Sequence, residues 1–545
     1  MKPALPTRTS GTNKAYDSRY ISTGGIVAFC TKLQWRRPAL VGAILLAGCG
    51  GGGGGSSGTT TPTTPPVTTP AVPGSFADVT VYSSAATGSL SAPNENAAVI
   101  ASHIQLNGKQ FDYTATTGHL TAVDAKTGQA SVSFFYVAYT VTGTTAAKRP
   151  VTFFYNGGPG SASTYLHLGS FGPRRLVSTI PSANIPPVQL VDNQETLLAT
   201  SDLVFIDAVG TGYTQAVAPN TNADFWGVDK DAASFRDFVQ RYIAVNKREA
   251  SPKFLYGESY GAPRTGVLAN LLETAGVQID GLVLQSAIMD YNSNCGVLDP
   301  NAISCEGYIP TYALTSAYHG RATPVPVETV RNFATGGYRT AIAAYLASKV
   351  APPSAVLNQL SDLTGMSTLI WQQNFDMQPG YYQQNAVPGQ LLGRYDARVL
   401  APTGSALTRD GDPSLTVVNA SFSSSIVTYM ANELHYSAGS AYAPFIDIVN
   451  RWNFSHDGKQ LPDTIPDLTA ALTLNPAMKI LAINGYHDLA TPFHQTELDL
   501  ARLGENQSIV LKYYASGHMT YLDDTARRAQ QTDLINFMNS VTVSH

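Results

Sequence analysis

Six short, nearly continuous apolar runs, separated by helical patterns, constrain the fold of this chain more than any other feature. Runs of this kind are typical of strands that are buried on both faces of a parallel sheet. Their alternation with helices predicts an α/β fold. Upstream segments such as ASVSFFYVAYTV predict antiparallel strands at one edge of that sheet. The runs are VTFFYN from Val151, DLVFIDA from Asp202, KFLYG from Lys253, GLVLQSAI from Gly281, KILAING from Lys479 and IVLKYYA from Ile509.

The alternation of strands and helices stops between about Asn294 and Met478, where helical patterns and Pro/Gly breaks predominate. An insertion of this kind is expected over the carboxyl ends of the strands, where open α/β sheets bind ligands. We therefore predict a core made of residues 75–293 and 479–545, with residues 294–478 as a largely helical cap.

The N-terminal segment predicts export. The stretch WRRPALVGAILLAGCGGGGGG has two arginines and an apolar run that is too short to span a membrane. Its LAGC resembles the bacterial lipobox, in which Cys49 would be lipidated, although a plain signal peptide with a chance cysteine is the alternative. Residues before Trp35 do not fit the charged start of a signal, so we expect translation to begin nearer Leu33.

Residues 50–74 form a glycine tract and a Thr/Pro-rich stretch that cannot bury apolar surface, which predicts a flexible tether. With residues 1–49 as the export signal, we expect a protein in the periplasm or at the cell surface, anchored to a bacterial membrane by lipid alone. The net charge of −4 leaves no basic face for nucleic acid. In an oxidising compartment, Cys295 and Cys305 would form one local disulfide; two free thiols are the alternative.

A serine on a sharp turn is the first catalytic candidate. In KFLYGESYGAPR, Ser259 stands between the end of an apolar strand and the start of a helical pattern. A nucleophile elbow has this arrangement, and its glycines relieve crowding of the backbone. The same G-x-S-x-G spacing recurs at Gly54 to Gly58 in the tether, without a strand or helix. The context favours Ser259 as a nucleophile over an ordinary turn serine.

A serine nucleophile needs a base, and the base needs an acid that orients it. In chain order, Asp488 follows one buried run and His518 follows the next, which is the Ser, Asp, His order of α/β-hydrolases. All three residues are expected at the same edge of the sheet. His518 would take the serine proton and return it to the leaving amine, while Asp488 would fix the tautomer of His518.

Other titratable residues near these runs are weaker candidates. His487 adjoins Asp488, but adjacent side chains at a strand end point in different directions. His494 and Glu497 lack a third ligand, so we expect no metal and place them on a helix surface. Asp207 precedes the serine in the chain and is expected to support the loops around the site.

The oxyanion of the reaction needs two backbone N–H donors. The residue after the nucleophile, Tyr260, supplies one. The second is expected from the glycine loop FFYNGGPGSAS, where Gly157, Gly158 and Gly160 allow amides to turn inward. A plain glycine-rich turn is the alternative.

The segments NGGPGSAS, GESYG, NGYHDLATP and GHM together resemble the serine carboxypeptidases, in particular their bacterial members. The similarity extends through FWGVDKDAASFRDFV and CEGYIPTYALTSAYH, from about Phe76 to the end of the chain. The resemblance implies an α/β-hydrolase fold with a helical insertion, and removal of one residue from the carboxyl end of a peptide. It also implies Ser259, Asp488 and His518 as the triad, with the oxyanion amides on Gly158 and Tyr260.

The resemblance further implies that Asn156, the Gly157 amide and the Glu258 carboxyl bind the terminal carboxylate of the substrate. Glu258 must then be protonated, because two carboxylates at this distance repel. Many relatives place a second glutamate after the glycine loop, and the corresponding residue here is Ser170. We therefore expect a less acidic pH optimum than a paired-glutamate enzyme has.

Two arginines after the glycine loop, Arg174 and Arg175, offer another way to recognise a carboxylate, or else lie at the surface. The glycine loop also has Ser161 where many relatives have cysteine.

Three competing functions remain at this stage. An esterase or acyltransferase on the same fold would not require a free peptide C-terminus. A non-catalytic surface binding lipoprotein would not need the triad, and a metallopeptidase would need a ligand cluster. The sequence favours an exported serine carboxypeptidase without metal or organic cofactor, whose partners are peptides with a free C-terminus.

Overall fold

The computed structural model describes residues 74–145, 149–296 and 303–541. Cys49, the export signal and the tether up to residue 73 lie outside them. No helix within these three ranges is both long and apolar enough to cross a bilayer. The strands are β1 Phe76–Asp78, β2 Ala97–Leu106, β3 Lys109–Val123, β4 Ala130–Val141, β5 Val151–Tyr155, β6 Arg174–Leu176, β7 Leu190–Asp192, β8 Asp202–Ile206, β9 Gln215–Ala216, β10 Lys253–Glu258, β11 Gly281–Gln285, β12 Gln390–Leu392, β13 Leu400–Pro402, β14 Tyr436–Ala438, β15 Lys479–Gly485 and β16 Ile509–Tyr514.

The helices alternate with these strands in the first and last parts of the chain. Between β11 and β15, helices predominate and the only strands described are the short β12, β13 and β14. They are α1 Thr164–Gly169, α2 Val228–Val245, α3 Gly261–Thr274, α4 Ile309–Tyr318, α5 Val327–Phe333, α6 Arg339–Ser348, α7 Ser354–Thr364, α8 Thr368–Gln373, α9 Pro379–Asn385, α10 Pro413–Asn432, α11 Ile465–Leu474, α12 Phe493–Ala501 and α13 Asp524–Ser540.

In the described residues, ten strands form the central sheet in the order β16-β15-β11-β10-β5-β8-β4-β3-β2, with β9 beside β4. The six strands from β16 to β8 are parallel to one another. The other pairs, β8-β4, β4-β3, β3-β2 and β4-β9, are antiparallel. This arrangement confirms the α/β-hydrolase fold, a mostly parallel sheet with antiparallel strands at one edge.

The parallel strands are buried on both faces because successive side chains point to opposite sides. On β5, Phe153 packs into the layer beneath α2, α3 and α11, whereas Phe154 packs into the layer beneath α10 and α13. Each buried Phe contributes about 1.5–3 kcal/mol relative to an exposed one. The nearly continuous apolar runs follow from this burial on two faces.

The predicted cap, residues 294–478, contains elements with two kinds of packing. Helices α4 to α9 surround the buried Trp371 and form a separate apolar cluster. In contrast, Phe422 of α10 and Leu468 of α11 belong to the two layers that cover the sheet. The last third of the insertion therefore packs as part of the hydrolase core.

A disulfide between Cys295 and Cys305 confirms the predicted pairing, with the two Cα atoms 5.3 Å apart. Both cysteines are buried in the apolar cluster of the cap. The bond joins the segment that leaves β11 to the start of α4. A disulfide of this kind fits a protein that folds in an oxidising compartment.

Candidate active site

Ser259 occupies a strained turn between β10 and α3. The strand ends at Glu258 and the helix begins at Gly261, and Ser259 between them has a φ of 60°. A Cβ atom on Gly257 would lie 2.1 Å from the carbonyl oxygen of Gly261, so this position tolerates only glycine. The turn therefore has the backbone of a nucleophile elbow, as the sequence predicts.

Asp488 and His518 meet because their strands, β15 and β16, are neighbours in the sheet. His518 Nδ1 lies 2.7 Å from Asp488 Oδ2, and both side chains are buried. The other carboxylate oxygen of Asp488 accepts the amides of Ala490 and Thr491 at 2.8 and 3.0 Å. These two amides hold the carboxylate in place, so that it fixes the orientation of the imidazole.

Thr491 adds a second contact to this pair that the sequence analysis missed. Its hydroxyl donates to Asp488 Oδ2 at 2.8 Å and lies 3.1 Å from His518 Nδ1. The ring of Tyr395 packs edge-on against the His518 ring, with centroids 4.8 Å apart. The Tyr395 carbonyl oxygen also accepts the His518 backbone amide at 2.6 Å. Contacts from two separate segments thus immobilise the imidazole.

Gln285, at the end of β11, links the elbow to His518. Its backbone oxygen accepts the Ser259 amide at 2.9 Å, and its side chain reaches the His518 carbonyl oxygen at 3.4 Å. The Ser286 hydroxyl donates to the same carbonyl oxygen at 2.6 Å. His518 Nε2 is buried and has no hydrogen-bond partner among the described residues. The second ring nitrogen is therefore available to a ligand or a nucleophile.

Two opposing effects act on the pKa of His518. Burial alone lowers that pKa, while the charge of Asp488 and the hydrogen bond to it raise it; the net result is a pKa above the ordinary value. The raised pKa favours the imidazolium that forms when His518 accepts a proton from a hydroxyl. The pair has the electrostatics that a general base needs.

The glycine loop after β5 lies directly against the elbow. A Cβ atom on Gly157 would stand 2.4 Å from the Tyr260 amide nitrogen. The amides of Gly157, Gly158 and Tyr260 donate no hydrogen bond to any other residue in the described ranges. Gly158 has a φ of 108°, which a residue with a side chain rarely adopts. Unpaired amides from two loops thus converge beside Ser259.

Replacing Gly157 by alanine is expected to separate these two loops, because the new methyl group would meet three backbone atoms of the elbow within 2.7 Å. We expect kcat to fall about 10²- to 10³-fold, the effect of losing one oxyanion donor. The free energy of unfolding should fall by about 1–3 kcal/mol. Ester hydrolysis and urea unfolding measure the two effects.

The matched control for this substitution is Gly439→Ala, since a Cβ atom there meets nothing within 4 Å. It should change neither quantity. Wild-type kcat in Gly157→Ala would show that the close contact between the loops is unnecessary.

Glu258 and Asn156 form a buried polar cluster next to Ser259. Asn156 Nδ2 donates to Glu258 Oε1 at 2.8 Å, and Asn156 Oδ1 accepts the Leu166 amide at 3.0 Å. Gln285 Nε2 lies 3.4 Å from Glu258 Oε2. Burial raises the pKa of Glu258 to about 7, although the charge of His518 and the nearby side chains of Tyr521 and Asn156 oppose the shift. A carboxylic acid therefore persists here at a pH where exposed glutamates are ionised.

Ser170, which the family resemblance places at the position of a second glutamate, makes no hydrogen bond to this cluster. Its hydroxyl donates to the Leu166 carbonyl oxygen at 2.5 Å. Arg174 pairs with Asp192 and Glu433, and Arg175 stands 4.0 Å from Glu195. The two arginines therefore face carboxylates of the chain itself, which weakens the suggestion that they recognise a substrate.

The other titratable residues weighed in the sequence lie elsewhere. Burial lowers the pKa of His487 to about 4, and its Nδ1 lies 3.2 Å from the Thr315 hydroxyl. Asp207 accepts the Ser163 amide at 2.8 Å and so supports the end of the glycine loop, as expected. His494 pairs with Glu497 at 2.5 Å. The expectation that His494 lies on a helix surface is wrong, because α12 turns this side chain inward and buries it.

Comparison with known proteins gives one family. Residues 106–300 match the model of a family described as serine carboxypeptidase. The matched segment contains the glycine loop, the elbow and β11, while Asp488 and His518 lie beyond it.

Solved structures resemble the chain more weakly. A prohormone-processing carboxypeptidase from Saccharomyces cerevisiae, Kex1, has a TM-score of 0.49 at 16% identity, covering 79% of this chain and 92% of that one. A proline iminopeptidase from Mycobacterium smegmatis has a TM-score of 0.31 at 14% identity, covering 77% and 98%. A carboxyl esterase from Bacillus coagulans has a TM-score of 0.33 at 14% identity, covering 78% and 98%.

Resemblances at this level do not distinguish a peptidase from an esterase, so the assignment depends on the family match. Residues 106–300 are therefore similar to the serine carboxypeptidase family, and the remainder of the chain lies outside that match.

Proposed function

We propose that this enzyme, a serine carboxypeptidase, releases the last residue of a peptide with Ser259 as nucleophile, His518 as base and Asp488 as the acid that orients the base. The observation that carries the proposal is the buried Glu258–Asn156 pair directly beside Ser259. An esterase has no use for a protonated carboxyl group next to its nucleophile. A carboxypeptidase needs such a group to hold the terminal carboxylate of its substrate.

In the first half of the reaction, Ser259 Oγ attacks the carbonyl carbon of the last peptide bond, and its proton passes to His518 Nε2. The amides of Gly158 and Tyr260 would stabilise the oxyanion that forms. The C–N bond then breaks as His518 returns the proton to the leaving amine. The products of this half are the free C-terminal amino acid and an ester of Ser259 with the shortened peptide.

In the second half, water attacks the ester and gives one proton to His518 Nε2. The tetrahedral oxyanion occupies the same two amides, and collapse breaks the bond to Ser259 Oγ, which takes the proton back from His518. Asp488 remains ionised throughout and stabilises the imidazolium. The orientation of His518 by Asp488 and Thr491 supports this sequence.

The substrate carboxylate would bind to Asn156 Nδ2, the Gly157 amide and the protonated Glu258. The unpaired Gly157 amide and the raised pKa of Glu258 support this assignment. Recognition of one charged end, rather than of a side chain, explains why an enzyme of this class removes residues singly.

The test compares three substrates with the full chain: an N-blocked dipeptide with a free C-terminus, its C-terminal amide, and a simple ester without a carboxylate. We expect release of the last residue from the free acid and little from the amide. Equal turnover of acid and amide, or cleavage of the ester alone, would move the enzyme to the esterase class. No turnover of any substrate would contradict the proposed catalytic function.

The proposal predicts a pH dependence that separates substrate binding by Glu258 from proton transfer by His518. Glu258 donates only while protonated, so KM for the free-acid dipeptide should rise as pH increases through about 7, roughly tenfold per unit well above it. kcat/KM for the ester should only rise with pH, as His518 loses its proton and becomes able to act as a base. In Glu258→Gln, whose amide donates at every pH, KM should stay constant between about pH 6 and 9.

The exposed Glu249→Gln serves as the matched control for this substitution and should keep the wild-type profile. A wild-type profile that falls steeply above about pH 5 would exclude an unpaired Glu258 with a raised pKa.

We also propose that the enzyme is exported and anchored to a bacterial membrane through a lipid on Cys49. The lipobox-like LAGC, the tether that follows it and the Cys295–Cys305 disulfide support this location. Growth with a labelled fatty acid should label the wild type and leave Cys49→Ser unlabelled. Equal labelling of both proteins, or of neither, would refute lipidation at Cys49.

A further inference from the structure

Tyr521 has a buried hydroxyl without a partner at the edge of the Glu258 cluster. The residue lies in a short turn between β16 and α13 and is 0% exposed. Its hydroxyl lies against the Glu258 carboxyl and the Asn156 side chain. It nevertheless completes no hydrogen bond of good geometry with any residue in the described ranges. A buried hydroxyl without a partner costs stability, so its presence requires an explanation.

The chain also makes room for this ring. A Cβ atom on Gly169, at the end of α1, would stand 2.7 Å from Tyr521 Cε2. The next residue, Ser170, turns its hydroxyl to the backbone of its own helix. The contact holds the ring in one position, with the hydroxyl directed at Glu258.

A second buried polar atom without a hydrogen-bond partner lies in the same region. His518 Nε2 is likewise buried and unpaired within the described residues, and the charge on His518 acts directly on Glu258. In the proposed reaction, Nε2 is the atom that exchanges a proton with the substrate. The Tyr521 hydroxyl therefore lies in the same region as the atom that exchanges a proton with the substrate in the proposed reaction.

We propose that the Tyr521 hydroxyl donates a hydrogen bond to the terminal carboxylate of the substrate, an inference that rests on the proposed carboxypeptidase function. Tyr521 thereby becomes a third side-chain donor beside Asn156 and Glu258, in addition to the Gly157 amide. The three donors differ in their dependence on pH. Glu258 donates only in its acid form, whereas Tyr521 keeps its proton throughout the working range, because burial and the nearby carboxylate raise its pKa far above the ordinary value.

In the free enzyme, the same hydroxyl stabilises the ionised form of Glu258, because a donor beside a carboxylate lowers its pKa. Removing it should therefore raise the pKa of Glu258. The titratable side chains that face the Glu258 carboxyl are those of His518, Asp488, Tyr521, Tyr256, Tyr165 and Tyr395. Burial raises the pKa of all four tyrosines, so they keep their protons near neutrality.

The test is Tyr521→Phe in the full chain, which retains the ring over Gly169 and removes only the hydroxyl. At pH 6, KM for the free-acid dipeptide should rise about ten- to a hundredfold, the value of one hydrogen bond to a charged group. kcat for that dipeptide and kcat/KM for the simple ester should stay at the wild-type value. The rise of KM with pH should begin at a higher pH than in the wild type.

If Tyr521 had only a structural function, Tyr521→Phe would lower the stability of the protein and leave KM unchanged. At pH 6, where Glu258 is mostly protonated and the Tyr521 hydroxyl completes no hydrogen bond of good geometry, Tyr521→Phe should unfold at the same urea concentration as the wild type or a higher one. Tyr514→Phe is the matched control, because its hydroxyl bonds Asp533 at 2.8 Å away from the cluster, and its KM should not change. A second variant, Gly169→Ala, should push the ring aside and raise KM in the same selective way.

Three outcomes distinguish the two proposals. A wild type that prefers free acids, with Tyr521→Phe and Gly169→Ala unchanged in KM, overturns the function of Tyr521 alone. Equal losses on dipeptide and ester also overturn it, because the effect would then lie in the triad. A wild type without preference for free acids contradicts the proposed function itself.

Discussion

Replacing Ser259 by alanine is expected to lower kcat about 10⁵- to 10⁶-fold for both the free-acid dipeptide and the ester, since no other residue can carry the acyl group. The Glu258 cluster and the loop amides remain in this variant. Equilibrium binding of the dipeptide, measured by calorimetry, should therefore stay close to that of the wild type. The prediction separates loss of the nucleophile from loss of the binding site.

A fluorophosphonate reagent provides an independent test of the same serine. Trypsin cuts after Lys253 and Arg264 and releases a peptide in which Ser259 is the only serine. That peptide should carry the label in the wild type and lose it in Ser259→Ala. The control Ser361→Ala, on helix α7 of the cap, should keep full activity and labelling. Label on any other peptide would exclude Ser259 as the nucleophile.

Replacing Asp488 by asparagine is expected to lower kcat about 10⁴-fold with little change in KM. In the wild type, His518 Nδ1 donates to the Asp488 carboxylate at 2.7 Å. The amide of asparagine can donate to Nδ1 instead, and the imidazole would then carry its proton on Nε2. An imidazole in that tautomer cannot accept the Ser259 proton. Stopped-time assays with the ester measure the loss without the contribution of carboxylate binding.

The control for this substitution is Asp533→Asn, which removes a comparable carboxylate that accepts from Tyr514 and pairs with Lys512 near the surface. It should retain wild-type kcat. Because Asp488 also accepts two backbone amides, urea unfolding must show that Asp488→Asn is folded. A folded variant with less than a tenfold loss would show that Asp488 does not orient the base.

The elbow and the glycine loop illustrate what local sequence can predict. Ser259 stands two residues from glycines on either side, after a β run and before a helix, so its strained turn follows from neighbours in the chain. Asp488 and His518 were predicted from their position after consecutive apolar runs, and the structure brings them to 2.7 Å. Their catalytic functions remain predictions for the experiments above.

The residues that the sequence analysis missed are those contributed by distant segments. Gln285 bridges the elbow and His518 because β11 lies between β10 and β15 in the sheet. Tyr395 reaches His518 from the insertion, and Tyr521 reaches Glu258 from the turn before α13. Each has an ordinary sequence context, so no local pattern marked them. The one signal in the sequence near this cluster was Ser170, which the family resemblance places where a second glutamate is expected.

Local patterns were enough to predict the α/β class of this protein, the turn that presents Ser259 and the order of the triad candidates, because apolar periodicity and glycine act over a few neighbouring residues. The order of the strands, the packing of α10 and α11 on the sheet, and the proximity of Tyr521 to Glu258 depend instead on long-range packing. Those contacts join residues that are far apart in the chain, and they arise from the burial of whole faces. The pKa of Glu258 near 7 likewise follows from that burial, which no stretch of sequence contains.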